Sequence, residues 1–221
     1  MSNPWARTRE AMLYIETDMH LLPTQDEVLS LLRETGALRD GHFAYSNGLH
    51  AREYLQVALA MQSYQTAKTL SVGLSRKLRE NSEIRAMIPE LSVVCPATGG
   101  LPVAFGVCEA LRAKRVYWAE RELEGGPMQF RQFMEIKRGE KVLLVDDILR
   151  TGQKLSALKA LVEAAGAEVV GLAVMVNQPN PECIDFKPLP LYFLAQLDGV
   201  YSHEDDCAQC KAGEPLIKVL V

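Results

Sequence analysis

The sequence predicts an α/β fold, a central and mainly parallel sheet flanked by helices, with a small N-terminal hood above it. Two observations carry the prediction. Short apolar runs at 91–95, 141–148 and 168–176 have the length and composition of buried strands, and the segments between them carry helical spacing. Two of these runs lead into loops of small residues, Pro96-Ala97-Thr98-Gly99-Gly100 and Leu149-Arg150-Thr151-Gly152, each followed by a helix-like stretch. Strands alternating with helices build parallel sheets through right-handed crossovers, and ligands of such sheets sit beyond the carboxyl ends of the strands. Both small-residue loops therefore fall where a ligand belongs.

The elements follow in order. Thr24-Gln25-Asp26-Glu27 has capping-box spacing and opens a helix running to about Thr35, before Gly36. From His42 to Gln56, aromatic and polar residues alternate around Asn47-Gly48, the pattern of a hairpin. Ala67, Leu70, Leu74 and Leu78 recur at helical spacing and give a helix over 63–80 with one buried face. The strand at 91–95 leads through its loop to a helix over 101–111. A strand over 115–122, a turn at 123–127 and an extended return over 128–136 come next. The strand at 141–148 leads to a helix over 153–165 and the apolar run at 168–176. This divides the chain into N-terminal helices and hood (1–62), an α/β core (63–200) and a tail carrying Cys207-x-x-Cys210 (201–221).

Composition narrows the function. The 221 residues fit one α/β domain with an appendage, and 48% hydrophobic content supports a real core. A net charge of −4 argues against a broad nucleic-acid surface, which shows as basic excess, but leaves room for a pocket that binds a small phosphorylated molecule. The first residues lack the layout of a signal peptide, and the longest apolar run, 169–176, is too short to span a bilayer, so a cytoplasmic protein without membrane contact is expected. Five cysteines are an odd number, unlike a disulfide framework.

The most informative stretch is Val142-Leu143-Leu144-Val145-Asp146-Asp147-Ile148-Leu149-Arg150-Thr151-Gly152. Four apolar residues lead into two adjacent carboxylates, which the chain can present together by turning at the strand's end. Carboxylates accept hydrogen bonds from vicinal hydroxyls, and the free amides at the next helix's start suit a phosphate. One loop can thus grip a ribose 5-phosphate. An isolated Asp-Asp would read as loop acids or a helix cap; strand, paired acids, Thr-Gly and helix in sequence favour the binding motif.

This stretch resembles the phosphoribosyl-pyrophosphate (PRPP) signature of the type I phosphoribosyltransferases, and further segments narrow the likeness to the orotate phosphoribosyltransferases. His42-Phe43 through Ser46-Asn47-Gly48-Leu49-His50 and Tyr54-Leu55-Gln56 resembles that family's substrate hood. Ala97-Thr98-Gly99-Gly100-Leu101-Pro102, with Pro96, resembles its pyrophosphate loop, Ala119-Glu120-Arg121-Glu122 the start of its catalytic loop, and 207–216 a Cys-x-x-Cys ending found in some members. The resemblance implies a glycosyltransferase of pyrimidine biosynthesis that moves ribose 5-phosphate from PRPP to orotate, giving orotidine 5′-monophosphate and pyrophosphate. Asp146 and Asp147 would hold the ribose hydroxyls. Arg150, Thr151, Gly152, Gln153 and Lys154 would surround the 5-phosphate, and Ala97, Thr98, Gly99 and Gly100 would cradle pyrophosphate. Ser46, Asn47 and Gly48 would belong to the hood, and Arg121 would reach pyrophosphate, across a homodimer interface as in the family, or else be a solvated charge. Mg²⁺ would be held mostly by the substrate, with no dedicated protein metal site.

Three departures bear on the acceptor. Arg150 stands where the family signature has a small hydroxyl residue, and it would grip phosphate or the orotate carboxylate, or else project to solvent. The loop at 123–127 lacks the family's lysines and histidine. Asn177-Gln178 lies where the family shows Asp-Arg, whose arginine contacts the orotate carboxylate. A phosphoribosyltransferase for another base and a non-catalytic PRPP sensor are therefore the alternatives. One Cys-x-x-Cys supplies only two of the four ligands of a zinc site, and His203 is the nearest third candidate in sequence, so Cys207 and Cys210 read as a structural pair, reduced or bonded. His42 and His50 read as polar packing residues, and Trp118 as core or interface packing.

Overall fold

A computed structural model describes residues 22–121 and 126–219. Of the turn expected at 123–127, residues 123–125 lie outside the described residues. The elements run α1 (Gln25–Glu34), β1 (Leu38–Ala44), β2 (His50–Leu55), α2 (Val57–Met61), α3 (Tyr64–Glu80), α4 (Ser82–Met87), β3 (Ser92–Pro96), α5 (Gly100–Leu111), β4 (Arg115–Arg121), β5 (Met128–Phe130), β6 (Lys141–Leu149), α6 (Gln153–Ala164), β7 (Glu168–Asn177), β8 (Leu191–Gln196), β9 (Tyr201–Ser202), α7 (Ala208–Lys211) and β10 (Ile217–Lys218). The sheet class, the hairpin and the helices α1, α3, α5 and α6 stand where the sequence pattern puts them.

The core sheet has six strands in the order β5-β4-β3-β6-β7-β8. All neighbours are parallel except the short edge strand β5, which returns antiparallel to β4. Apolar side chains alternate between its faces. Val93, Cys95, Leu143, Val145, Ala173 and Met175 pack with α1, α3 and α5. Val94, Val142, Leu144, Leu172 and Val174 pack with Leu155, Leu158 and Val162 of α6. From β3 the chain moves outward to β4 and β5, then crosses to β6 on the other side of β3 and moves outward again. The direction of winding reverses between β3 and β6, so the loops that follow these strands diverge and leave a crevice.

The smaller sheet has the order β10-β1-β2-β9. The β1–β2 hairpin turns through Ser46-Asn47-Gly48, with the Tyr45 amide donating to the Leu49 carbonyl at 2.8 Å. The tail completes this sheet on both edges: β9 pairs with β2 and β10 runs parallel to β1.

The helix α1 begins as its sequence predicts. The Thr24 amide donates to the Glu27 carboxylate at 2.7 Å, the Glu27 amide donates to the Thr24 hydroxyl at 3.3 Å, and Val28 and Leu32 are buried one turn apart. Thr24→Ala removes half of this reciprocal cap and should lower stability by about 1 kcal/mol, measured as a shift in the urea unfolding midpoint with an unchanged slope.

Candidate active site

The crevice is built by the unequal lengths of three neighbouring strands. The ladder between β3 and β6 ends at Val94 and Leu144, whereas β6 stays paired with β7 as far as Leu149 and Asn177. Asp146 and Asp147 therefore lie within the last half of β6, as the strand expected over 141–148 places them, held by β7 on one side and facing the opening on the other. Ordinary alternation sends adjacent strand residues to opposite faces. Here the loop after β3 spans the strand's end and meets both. A Cβ on Gly99 would stand 3.0 Å from Oδ2 of Asp147, and a Cβ on Gly100 would stand 3.1 Å from Oδ1 of Asp146. Only glycine lets the backbone approach the pair this closely.

The pair is electrostatically costly. Asp146 is buried and Asp147 half-buried. Oδ1 of Asp146 accepts from the Asp147 amide at 2.9 Å, and Oδ1 of Asp147 accepts from the Ile148 amide at 2.8 Å. Burial, and then repulsion from Asp147, push the Asp146 carboxyl well above the ordinary carboxylate range, and the Lys154 ammonium opposes them only in part.

Two helix starts face this end of the sheet. Neither α5, capped by Gly99, nor α6, capped by Gly152, has an N-cap side chain closing its first turn. The Leu101 amide donates to the Thr98 carbonyl at 3.2 Å and Pro102 has no N–H, which leaves the Gly100 amide of α5 and the Lys154 and Leu155 amides of α6 open to an anion. Gly152 has φ 75°, and a Cβ there would stand 2.9 Å from the Phe186 ring. Thr151 bends the loop by accepting from the Gln153 amide at 3.4 Å, while Gln153 and Lys154 are exposed at the helix start. Ala97 is tied to β4, its amide donating to the Ala119 carbonyl at 2.8 Å, and the Ala97–Thr98 peptide is cis.

Arg150 takes neither of the two extremes, phosphate turn or open solvent. It reaches toward the hood, donating from Nη2 to the Gln178 side chain at 3.1 Å and to the Leu55 carbonyl of β2 at 3.4 Å. Its guanidinium lies 4.9 Å from the centre of the Tyr45 ring. Its Nε is buried without a partner, as are the Tyr45 hydroxyl and Oδ1 of Asn177. Burial raises Tyr45 to about 12, so its hydroxyl stays protonated beside the cation. Ser46, Asn47 and Gly48 are exposed at the hairpin turn. Arg121 ends β4, exposed, with its guanidinium on the Gly126 carbonyl, while the neighbouring Glu120 pairs with Arg131 at 2.7 Å.

The structure thus brings together Asp146, Asp147, Gly99 and Gly100, with the 150–154 turn alongside; no contact among the described residues joins Arg121 to them. Tyr45 and Gln178 frame Arg150. Gln178 stands at the position where the sequence lacks the family's Asp-Arg, whereas nothing in the sequence marked Tyr45, which is ordinary until the hood folds over β7. A cleft of about 650 Å³ between hood and tail includes Gln178, but also Asp40, Glu53, Asp198 and Glu214, an acidic lining unsuited to a polyanion. No described helix is long and apolar enough to cross a membrane.

A parallel sheet with a glycine loop and paired aspartates at its switch point defines a class of nucleotide-forming transferases. Residues 58–185 match the phosphoribosyl transferase domain model, and the chain belongs to the phosphoribosyltransferase family. Its relatives include the orotate phosphoribosyltransferase of Sulfurimonas denitrificans, 32% identical over 203 residues that cover 86% of this chain and 96% of that protein. That of Carboxydothermus hydrogenoformans is 33% identical over 192 residues, covering 87% and 95%. Among solved structures, orotate phosphoribosyltransferase from Aeropyrum pernix superposes with a TM-score of 0.62 over 77% of this chain and 93% of that one; at 20% identity it supports the fold alone. A phosphoribosyltransferase from Corynebacterium diphtheriae gives a TM-score of 0.58 at 28% identity, covering 79% and 96%.

The strained carboxylate has a measurable consequence. A folded-state pKa above the unfolded value means stability is greatest below the unfolded value and declines as pH rises through the folded one. Asp146→Asn removes that charge while keeping an oxygen for the Asp147 amide. The ligand-free variant should be more stable than the parent at neutral pH, on the order of 1 kcal/mol, and should lose this decline, as read from unfolding midpoints across pH.

Proposed function

We propose that this chain transfers ribose 5-phosphate from PRPP to orotate, forming orotidine 5′-monophosphate and releasing pyrophosphate. The observation that carries the reading is the pair Asp146 and Asp147 against Gly99 and Gly100 at the switch point, with the α6 amides open alongside. The likeness to orotate phosphoribosyltransferases over most of the chain supports it.

The residues divide the substrate between them. Asp146 and Asp147 accept hydrogen bonds from the two ribose hydroxyls. The turn of Thr151, Gly152, Gln153 and Lys154 holds the 5-phosphate through amides, a hydroxyl and an ammonium. The 97–100 loop receives pyrophosphate on glycine backbone and the open start of α5. As the C1–O bond to pyrophosphate breaks, positive charge grows on the ribose and negative charge on the leaving group, while the orotate ring nitrogen forms the new bond from the opposite face. The ring N–H bond of orotate breaks as the new N–C1 bond forms, its proton passing to solvent or to the departing pyrophosphate, so no side chain needs to act as the base. The negative charge of the aspartates favours the cationic ribose.

The carboxylate oxygens of Asp146 and Asp147 are hard donors that fit Mg²⁺, most of whose ligands would come from PRPP and water. When bound, Mg²⁺ would supply positive charge that offsets the charge of the leaving pyrophosphate. Arg121, on the strand end before the catalytic-loop segment, adds positive charge to pyrophosphate from the partner subunit of a homodimer. The working environment is the cytoplasm.

Arg150 selects the acceptor. The family's Asp-Arg is replaced by Asn177-Gln178, which by itself would favour another base. Yet the Arg150 guanidinium sits on Gln178, beneath the hood, with a buried Nε still unpaired. A cation from β6 thus stands in the neighbourhood that the family fills from β7, and a carboxylate on the acceptor gives that nitrogen its partner.

Purified protein with PRPP and Mg²⁺ should release pyrophosphate with orotate and not with uracil or purine bases. Release only with a purine would overturn the choice of acceptor, and tight PRPP binding without turnover would leave a sensor. The Asp146→Asn, Asp147→Asn double variant should lose at least ~100-fold in kcat while remaining folded by circular dichroism. Arg150→Lys should raise the KM for orotate ~10-fold or more, with a smaller effect on the KM for PRPP; equal effects on both would place the residue at the phosphate instead.

A further inference from the structure

We infer that His42, His50, Cys207 and Cys210 form a Zn²⁺ site that fastens the C-terminal tail to the hood. Reading the sequence, Cys207-x-x-Cys210 appeared to lack two ligands, with His203 the nearest third candidate. The structure corrects this: His203 is not among the converging groups, and both missing ligands come from the β1–β2 hairpin, about 160 residues upstream.

Four of the six edges that a tetrahedral site would have are short. One ligand atom from each residue lies within 4.8 Å of the other three. Nε2 of His42 is 3.1 Å from Nδ1 of His50, 3.4 Å from Sγ of Cys207 and 3.5 Å from Sγ of Cys210, and Nδ1 of His50 is 3.3 Å from Sγ of Cys210. With Zn–N near 2.05 Å and Zn–S near 2.3 Å, tetrahedral edges are about 3.3 Å for N···N and about 3.6 Å for N···S. These four separations fall within a few tenths of an ångström of those lengths.

Hydrogen bonding alone does not account for the cluster. Nδ1 of His42 lies 3.1 Å from the Glu214 carbonyl, which can only accept, so this nitrogen carries the proton in a neutral ring. Nε2 then offers one lone pair toward three neighbours at once. A second shell of this kind, an imidazole N–H on a backbone carbonyl, is what orients a metal-bound histidine. His42, His50 and Cys207 are 3%, 5% and 3% exposed, all five cysteines are free, and four protein ligands leave no open position. Two thiolates and two imidazoles in a closed tetrahedron select zinc and define a structural rather than a catalytic site.

The tail needs such a fastening. Between residues 203 and 218 only Cys207 and Gln209 are buried, and the tail's regular structure amounts to two-residue strands and one turn of helix. That burial is too small to order the segment. Zinc binding releases the two thiol protons, involves no electron transfer, and couples metal affinity to the folding of tail onto hood.

The test uses the full, untagged chain purified without chelator and does not depend on turnover, so it stands apart from the fate of the transferase reading. Mass-spectrometric metal analysis should find about one Zn²⁺ per chain, falling below about a tenth in the Cys207→Ser, Cys210→Ser double variant. Parent protein stripped of zinc and given Co²⁺ should show the intense visible bands of a tetrahedral ion together with thiolate charge transfer, and stripping should expose two additional reactive thiols. This second measurement needs no variant to fold. Absence of both bound zinc and the tetrahedral cobalt spectrum, a Cys207–Cys210 disulfide in the purified protein, or undiminished zinc in the double variant would overturn the proposal.

Discussion

Two carboxylates on consecutive residues of a buried strand repel each other and resist desolvation, and the rest of the site is arranged around that pair. β6 carries Asp146 and Asp147 past the point where β3 leaves it, so β7 alone holds the strand while the opposite edge stays open. The loop after β3 then passes so close that a Cβ on Gly99 or Gly100 would stand 3.0 Å and 3.1 Å from the Asp147 and Asp146 carboxylates, an approach that glycine permits. The burial of Asp146 beside a second carboxylate is the physical reason a polyol should bind here: hydroxyl donors and a counter-ion offset a desolvation and a repulsion that the fold has already incurred. Stability is surrendered at this strand so that binding can recover it, a trade common at functional sites.

The hood supplies selection. It is a four-stranded sheet of which only the central hairpin belongs to the N-terminal part of the chain; both flanking strands come from the tail. Arg150 connects this sheet to the core by donating to the Leu55 carbonyl of β2 and to Gln178 beyond β7, with Tyr45 across its face. The position of the hood and the direction of the guanidinium are therefore coupled, and anything that fixes the tail to the hairpin also fixes the wall over the acceptor. Placing the cation on β6 rather than β7 is a rearrangement of the site, which keeps the charge and moves its origin.

The sequence made legible what rests on local pattern. The capping box, the helical stripe through Leu70, Leu74 and Leu78, the Asn-Gly hairpin and the strand-loop-helix units all depend on near neighbours, and they appear where their spacing puts them. The aspartate motif and the end of its strand were recognisable, but the open edge beside it was not, because the ladder with β3 stops at Leu144 while pairing with β7 runs on to Leu149, and both partner strands are remote in sequence. β8 carried little signal: Leu191, Tyr192, Phe193 and Leu194 are all half-buried, without the alternation that marks a one-sided strand. The same limit hid the cysteine cluster. Cys-x-x-Cys is visible as a spacing, whereas His42 and His50 join it only through the pairing of β9 and β10 with the hairpin.

On the proposed reading, burial and the Asp147 carboxylate disfavour the charged form of Asp146 until ribose hydroxyls reach it. The direct measurement is a carbon-13 NMR titration of the Asp146 carboxyl, with and without ribose 5-phosphate and Mg²⁺. The account predicts that this carboxyl titrates above the ordinary carboxylate range in the free protein and that the ligand moves its titration downward, because donors favour the charged form. An ordinary value in the free protein, or a raised value that the ligand leaves unchanged, would contradict it.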